Sequence, residues 1–188
     1  MHIFSISISR TSPMIILSIC IPTYNRAEFL PRLFDSIKAR DLSVIQVVVS
    51  DNASTDNTRI IVEQYRNLFP NFEYKCNDTN VGFDRNVYSA ATMGRGEYIL
   101  IMGSDDVFMP GALDAILDYL ESKPDVLIYN RQECDDEFHT LRVTRYANYK
   151  AASTKLVIRD EDDIVSYFKH VTSLCGVFSY ISSVVFRS

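Results

Sequence analysis

Two adjacent carboxylates, Asp105 and Asp106, follow the apolar run Tyr98-Ile99-Leu100-Ile101-Met102, from which Gly103-Ser104 separates them. Carboxylate oxygens are hard donors, suited to a cation such as Mg2+ or Mn2+ or to a ligand hydroxyl. The run is too short to span a membrane and reads as a strand buried on both faces. In an open α/β sheet the crevice beyond the carboxyl ends of the strands is where ligands sit, so the acids are placed for such a role. A second use is open at this point, because acids ahead of Pro110-Gly111 could cap the helix that starts there. Polar clusters follow two other apolar runs in the same manner: Thr23 to Arg26 after 14–21, and Asp51 to Asp56 after 44–50. Convergence of such ends on one edge of a sheet favours a cleft over scattered caps.

The elements that must position these groups alternate along the chain. Residues 14–21 and 44–50 are continuous and rich in β-branched side chains, which predicts buried strands. Phe29, Leu30, Leu33, Phe34 and Ile37 recur at helical spacing within 27–40, with Pro31 tolerated in the first turn. Helices are expected over 57–68, turning Ile60, Ile61, Tyr65 and Leu68 inward, and over 83–93, with Val87, Ala90 and Ala91 on one face. A short strand is expected over 72–76, a helix over about 111–122 (Leu113, Ile116, Leu117, Leu120) and a strand over 126–129. This alternation predicts βαβ units with right-handed crossovers, hence a mostly parallel, Rossmann-like α/β sheet flanked by helices. Beyond Asn130 the pattern loosens. Residues 131–155 suggest a hairpin or an excursion over the sheet, 161–169 a short helix, and 177–187 a strand whose apolar face needs cover from further chain.

At 188 residues, 47% hydrophobic and 23% charged, the composition suits one globular domain over 14–188, preceded by a loose arm over 1–13. That arm lacks the basic start and long apolar core of a secretion signal. A net charge of −5 argues against a protein that neutralises a nucleic-acid backbone. Cys20, Cys76, Cys134 and Cys175 are spread without metal-ligand spacing, and Cys20 and Cys76 fall in expected strands, so buried thiols of a reducing, cytoplasmic compartment are expected.

Several segments carry a resemblance when taken in order: Ile19-Cys20-Ile21-Pro22-Thr23-Tyr24-Asn25-Arg26, Val49-Ser50-Asp51-Asn52-Ala53-Ser54-Thr55-Asp56, Asn80-Val81-Gly82-Phe83-Asp84-Arg85-Asn86, Gly94-Arg95-Gly96-Glu97-Tyr98-Ile99 and Gly103-Ser104-Asp105-Asp106. In order and spacing they resemble the nucleotide-sugar-binding half of family-two glycosyltransferases with the GT-A fold. The match covers residues 17–120, which makes about 14–122 the nucleotide-sugar-binding part and 123–188 the start of an acceptor-side part, C-terminally incomplete. The resemblance implies that Pro22, Thr23, Tyr24 and Asp51 hold the nucleotide base. It sets Arg85 against base or phosphate, with Asn86 bracing that loop. The family's acidic triplet reads Gly103-Ser104-Asp105 here, with glycine in place of the first acid. Asp105 is then the ligand of Mg2+ or Mn2+, and Ser104 and Asp106 touch the donor or shape the loop.

The reaction implied is transfer of a sugar from a nucleotide-diphosphate sugar to an acceptor hydroxyl with inversion. The acceptor is a glycan or lipid-linked oligosaccharide of bacterial surface-polysaccharide (O-antigen, lipopolysaccharide) assembly, met at the cytoplasmic membrane face through a peripheral contact. The general base is expected beyond Ser188, since acids of the run Asp160 to Asp163 open a helix and His139 and His170 have no visible partner. The sequence therefore reads as an excerpt of a longer enzyme, the alternative being a donor-binding remnant without turnover. A sugar nucleotidyltransferase or a dinucleotide oxidoreductase would need a glycine-rich loop after the first strand, and Pro22 to Arg26 has no glycine.

Overall fold

The computed structural model describes residues 14–135, 137, 139–144, 157–170 and 181–188. The expected arm over 1–13, the later part of the 131–155 excursion, Cys175 and the first residues of the expected final strand lie outside them.

The sheet is built on β1 (Leu17–Thr23), β2 (Ile45–Asp51) and β4 (Tyr98–Ile101), each buried along its whole length. Such runs are stable only with both faces covered, as in a parallel sheet between helical layers. β3 (Asn71–Cys76) joins the edge of β2, and these four strands are mutually parallel. Side chains alternate between faces. Ile19, Ile21, Val47, Val49 and Leu100 pack with Leu30, Leu33 and Phe34 of α1 (Leu30–Ser36), Val62 of α2 (Thr58–Tyr65) and Leu113, Ile116 and Leu120 of α4 (Ala112–Leu120). Cys20, Val48, Ile99 and Ile101 pack instead with Val87, Ala90, Ala91 and Met93 of α3 (Phe83–Met93). Among the described residues, α3 thus packs on one face and α1, α2 and α4 on the other.

β5 (Val126–Ile128) does not join β4 directly. The strand order is β3-β2-β1-β4-β8-β5, because β8 (Val184–Arg187) inserts antiparallel between them. Sequence patterning leaves the final segment in need of outside cover, whereas the structure buries Val185 completely and pairs the strand on both sides. β6 (Arg131–Cys134) and β7 (Thr140–Thr144) form a hairpin, one of the two forms expected there, and α5 (Glu161–His170) begins within the acidic run 160–163.

Other expectations are corrected. α1 is shorter than 27–40, because Pro31 has no N–H and must lie in the first turn, and because Ile37 leaves helical backbone at ψ 83°. In α2, Val62 is fully buried while Ile60 is 58% exposed and Leu68 60% exposed. The tighter 3-10 turn Arg66–Leu68 rotates Leu68 outward and brings Phe69 in against Phe72. Cys20 is buried but Cys76, at the end of the edge strand, is exposed.

Candidate functional site

The carboxyl ends of β1, β2 and β4 lie side by side, with Thr23 opposite Asp51 and Cys20 opposite Ile101. The loops leaving them wall a cleft of about 330 Å³. Its lining comprises Pro22, Thr23, Tyr24, Arg26, Asn52, Asn80, Phe83, Asn86, Gly103, Ser104 and Asp105. A depression of about 420 Å³ beside α1, between Arg32, Asp35 and Phe108, is open to solvent and holds a single carboxylate.

Polar side chains fix the wall. The loops after β1 and β2 are stapled together: Asn25 N donates to Ser54 Oγ at 2.9 Å, Thr55 N to Asn25 Oδ1 at 2.8 Å, and Ala27 N to Asp56 Oδ2 at 3.0 Å. Asp56 Oδ1 also accepts from Thr58 N, the first residue of α2. Burial pushes the Asp56 carboxyl up, but these hydrogen bonds outweigh it and hold the group below its ordinary pKa. Behind the cleft, Asn52 Oδ1 accepts from Val81 N and from Asn77 Nδ2, and Asn52 Nδ2 donates to Asn80 Oδ1. Gly82, at φ 88°, turns the chain into α3 where an L side chain would be strained. The result is an uncapped helix start that leaves Phe83 70% exposed beside the cleft.

The structure distributes the sequence-predicted residues unevenly. Pro22, Thr23, Tyr24, Ser104 and Asp105 line the cleft; Asp51, Arg85 and Asp106 do not. Thr23 is 2% exposed, and its hydroxyl is buried without a hydrogen-bond partner among the described residues. Tyr24 is 44% exposed. Asp51 is buried, with Oδ1 accepting from Ser54 N and Oδ2 from Tyr74 O–H, each at 2.9 Å. Burial and this hydrogen bond to a carboxylate push the Tyr74 phenol pKa up. Arg85 is exposed in the first turn of α3.

Asp105 and Asp106 do not cap α4. Its N-cap is Gly111 and makes no side-chain cap bond. Asp105 is exposed and opens into the cleft. Asp106 turns back over Gly103, and its Oδ2 accepts a hydrogen bond from Ser182 Oγ. Burial raises the Asp106 carboxyl above its ordinary pKa and the Asp105 charge adds to this, while Ser182 and Arg131 pull it down. His139, in contrast to its sequence reading, has a partner: Nδ1 lies 3.1 Å from Asp135 Oδ2. Arg26, Asn52, Asn80 and Phe83 are cleft residues that reading by type did not single out. Their signal was adjacency, since each lies within or beside a segment that carries the resemblance.

Among the described residues no three His, Cys, Asp or Glu side chains gather to hold a metal. One open carboxylate fits a hard cation that takes most of its ligands from phosphate and water, and does not fit structural zinc.

A family model described as Glycosyl transferase family 2 matches residues 18–187. The chain belongs to this family. Among curated relatives, the abequosyltransferase RfbV of Salmonella typhimurium is 34% identical over 176 residues, covering 92% of this chain and 53% of the relative. The poly(ribitol-phosphate) beta-N-acetylglucosaminyltransferase TarS of Staphylococcus aureus is 36% identical over 121 residues, covering 61% of this chain and 21% of TarS. The crystal structure of S. aureus TarS 1-349 superposes with a TM-score of 0.71 at 22% identity, covering 92% of this chain and 47% of that one. The expected GT-A fold is therefore present. The family-two chain described here spans about half the length of RfbV, 53%.

Proposed function

We propose that the cleft binds a nucleotide-diphosphate sugar and that the enzyme transfers the sugar, with inversion, to an acceptor hydroxyl in bacterial surface-polysaccharide assembly. The observation that carries this reading is the open Asp105 carboxylate in a cleft walled by the loops that leave β1, β2 and β4. Family membership, a TarS structure in complex with UDP-GlcNAc and the similarity to the abequosyltransferase RfbV support it.

Pro22, Thr23 and Tyr24 hold the base and ribose in this reading. Asp51 accepts a base N–H through a remaining lone pair, since each carboxylate oxygen carries two. Phe83 offers an exposed ring for stacking. Arg85 meets the diphosphate from the first turn of α3, and Arg26 does so from the cleft wall. Ser104 and Asp106 flank the sugar.

Mg2+ or Mn2+ is held by Asp105; a fold relative, a mannosyltransferase from Pyrobaculum calidifontis, is described in complex with GDP-Man and Mn2+. When bound there, such a cation supplies charge neutralisation to the departing diphosphate. The acceptor proton goes to a carboxylate base that we place further along the polypeptide than Ser188. Acids of the 160–163 run are occupied elsewhere: Asp163 accepts from Arg159 N and Asp160 from Asp163 N, which opens α5. A glycan or lipid-linked oligosaccharide serves as acceptor, reached by peripheral contact at the cytoplasmic membrane face. Among the described residues no helix is long and apolar enough to cross a membrane.

Isothermal titration with UDP, CDP, GDP and dTDP, with and without Mn2+, tests the reading. Cation-dependent binding of one nucleotide, lost in Asp105→Ala, is expected. A folded chain that binds none of them overturns the donor site and leaves an inert remnant.

A further inference from the structure

Asn52 follows β2 in the cleft wall, 3% exposed, and its amide is used to capacity. Nδ2 donates to Asn80 Oδ1 at 2.8 Å and to Gly82 O at 3.2 Å, while Oδ1 accepts from Val81 N at 2.9 Å and from Asn77 Nδ2 at 3.1 Å. Two N–H groups and two lone pairs are all that an asparagine amide owns. Its orientation is fixed by backbone groups, because Val81 N can only donate and Gly82 O can only accept. Asn52 N also donates to Thr23 O at 2.9 Å, so one residue ties the end of β1 to the 77–82 turn.

The turn hands this register on to α3. Gly82 O accepts from Asn86 N at 3.2 Å, the first bond of the helix, and Gly82 N donates to Asn80 Oδ1 at 2.9 Å. Both backbone groups of Gly82 are thus held by Asn52 or by its partner Asn80. The next residue is Phe83, whose ring lines the cleft at 70% exposure. Tyr24, itself 44% exposed, lines the same cleft from the loop after β1. Large rings left open to water in a concave site are placed to meet a flat ligand surface.

We infer that Asn52 is a positioning residue of the donor site: its amide clamps the 77–82 turn, and the clamp sets the Phe83 ring against the nucleotide base. This rests on the donor-site reading above. The requirement is for an amide and not for bulk. Asn52→Asp would turn an oxygen toward Gly82 O and Asn80 Oδ1, and Asn80 cannot swing away without releasing Gly82 N. The turn would open there and carry Phe83 with it.

A double-mutant cycle on the 188-residue chain tests this, read by calorimetric titration of UDP, CDP, GDP and dTDP with Mn2+. Phe83→Ala should weaken the binding seen in wild type about tenfold, the magnitude of one base stacked on one ring, and Asn52→Asp should weaken it by a similar factor. In the Phe83→Ala background Asn52→Asp should cost nothing further, because the ring it displaces is gone. Additive losses overturn the inference, as does unchanged affinity in either single variant whatever its Tm. The deficit of Asn52→Asp relative to wild type should also shrink from about pH 7.5 to about pH 5, since burial raises the introduced carboxyl and its protonation returns one O–H donor to the turn. A deficit that does not change with pH overturns the amide's part. Should Asn52→Asp fail to fold by far-UV circular dichroism, Asn80→Ala takes its place in the cycle, because that side chain is exposed and its loss removes the bonds from Asn52 Nδ2 and Gly82 N. Wild type that binds no nucleotide overturns the donor-site reading and this inference with it, whereas binding by wild type with an additive cycle overturns the inference alone.

Discussion

Asn86 is 3% exposed, and its amide ties β1, β2 and the loop before α3 into one floor. Nδ2 donates to Ser50 O at 2.9 Å and Thr23 O at 3.4 Å, while Oδ1 accepts from Ser50 Oγ at 2.8 Å and Asn77 Nδ2 at 3.2 Å. Asn86→Ala removes all of these. Asn77 keeps a partner in Asn52, but the Ser50 hydroxyl, fully buried, loses its acceptor. A buried donor left unpaired costs about 1–3 kcal/mol, and each lost neutral hydrogen bond about 1 kcal/mol. We therefore expect about 3 kcal/mol of destabilisation. Urea denaturation followed by circular dichroism reads it: with a slope of about 2–3 kcal/mol/M, the midpoint should fall by about 1 M. Because Asn86 also anchors the first turn of α3, nucleotide affinity should fall with stability. A midpoint shift below about 0.3 M would refute the reasoning, since it would mean that the network contributes no more than an exposed side chain.

Other outcomes follow from the same structure. Asp56→Asn should cost about 1 kcal/mol at pH 6, because an amide has one acceptor oxygen where the carboxylate uses two, and so loses one of the bonds from Ala27 and Thr58. The folded Asp56 carboxyl lies below its unfolded value, so its contribution is complete above about pH 4 and lost as pH falls through the folded pKa. The Tm gap between wild type and Asp56→Asn should therefore close on acidification, and a gap that widens refutes the sign. Burial pushes the Cys20 thiol up to about 12, so iodoacetamide at pH 8 should label exposed Cys76 in the native protein and Cys20 only after unfolding, as mass spectrometry would show. Val185→Ala should destabilise by about 2 kcal/mol in a denaturant titration; no change would mean that β8 does not lie in the sheet core.

Much of the fold is legible locally because burial on both faces leaves its mark on each strand separately. β1, β2 and β4 announce themselves as unbroken apolar runs, and the gap-free ladder between β1 and β2 follows from them. α3 runs from Phe83 to Met93 as its periodicity predicts, between Gly82 and Gly94. Leu68 faces outward because periodicity assumes an unbroken helix and the 3-10 turn after Tyr65 changes the angle per residue, whereas Ile60 lies two positions from both buried Thr58 and Val62 and so falls on the far side of α2. Cys76 was misread because a strand at the sheet edge has one side open. In the site, the family resemblance pointed to Arg85, whereas the backbone sets Arg26 in the cleft wall.

The amino-acid sequence by itself determined the order of elements, the edge of the sheet at which polar groups gather, and the family. These are local or sequential properties: a strand's burial and a loop's composition are written within a few residues. Only the tertiary structure decided which acids face the cleft and what holds them. Asp51 and Asp105 follow two apolar runs that flank β1, yet Tyr74 and Ser54 enclose the first while the second stands open. Ser182 meets Asp106 across 76 positions because β8 pairs with β4 antiparallel. That pairing is chosen by the free energy of filling the sheet between β4 and β5, a sum over contacts from distant segments that no local pattern contains.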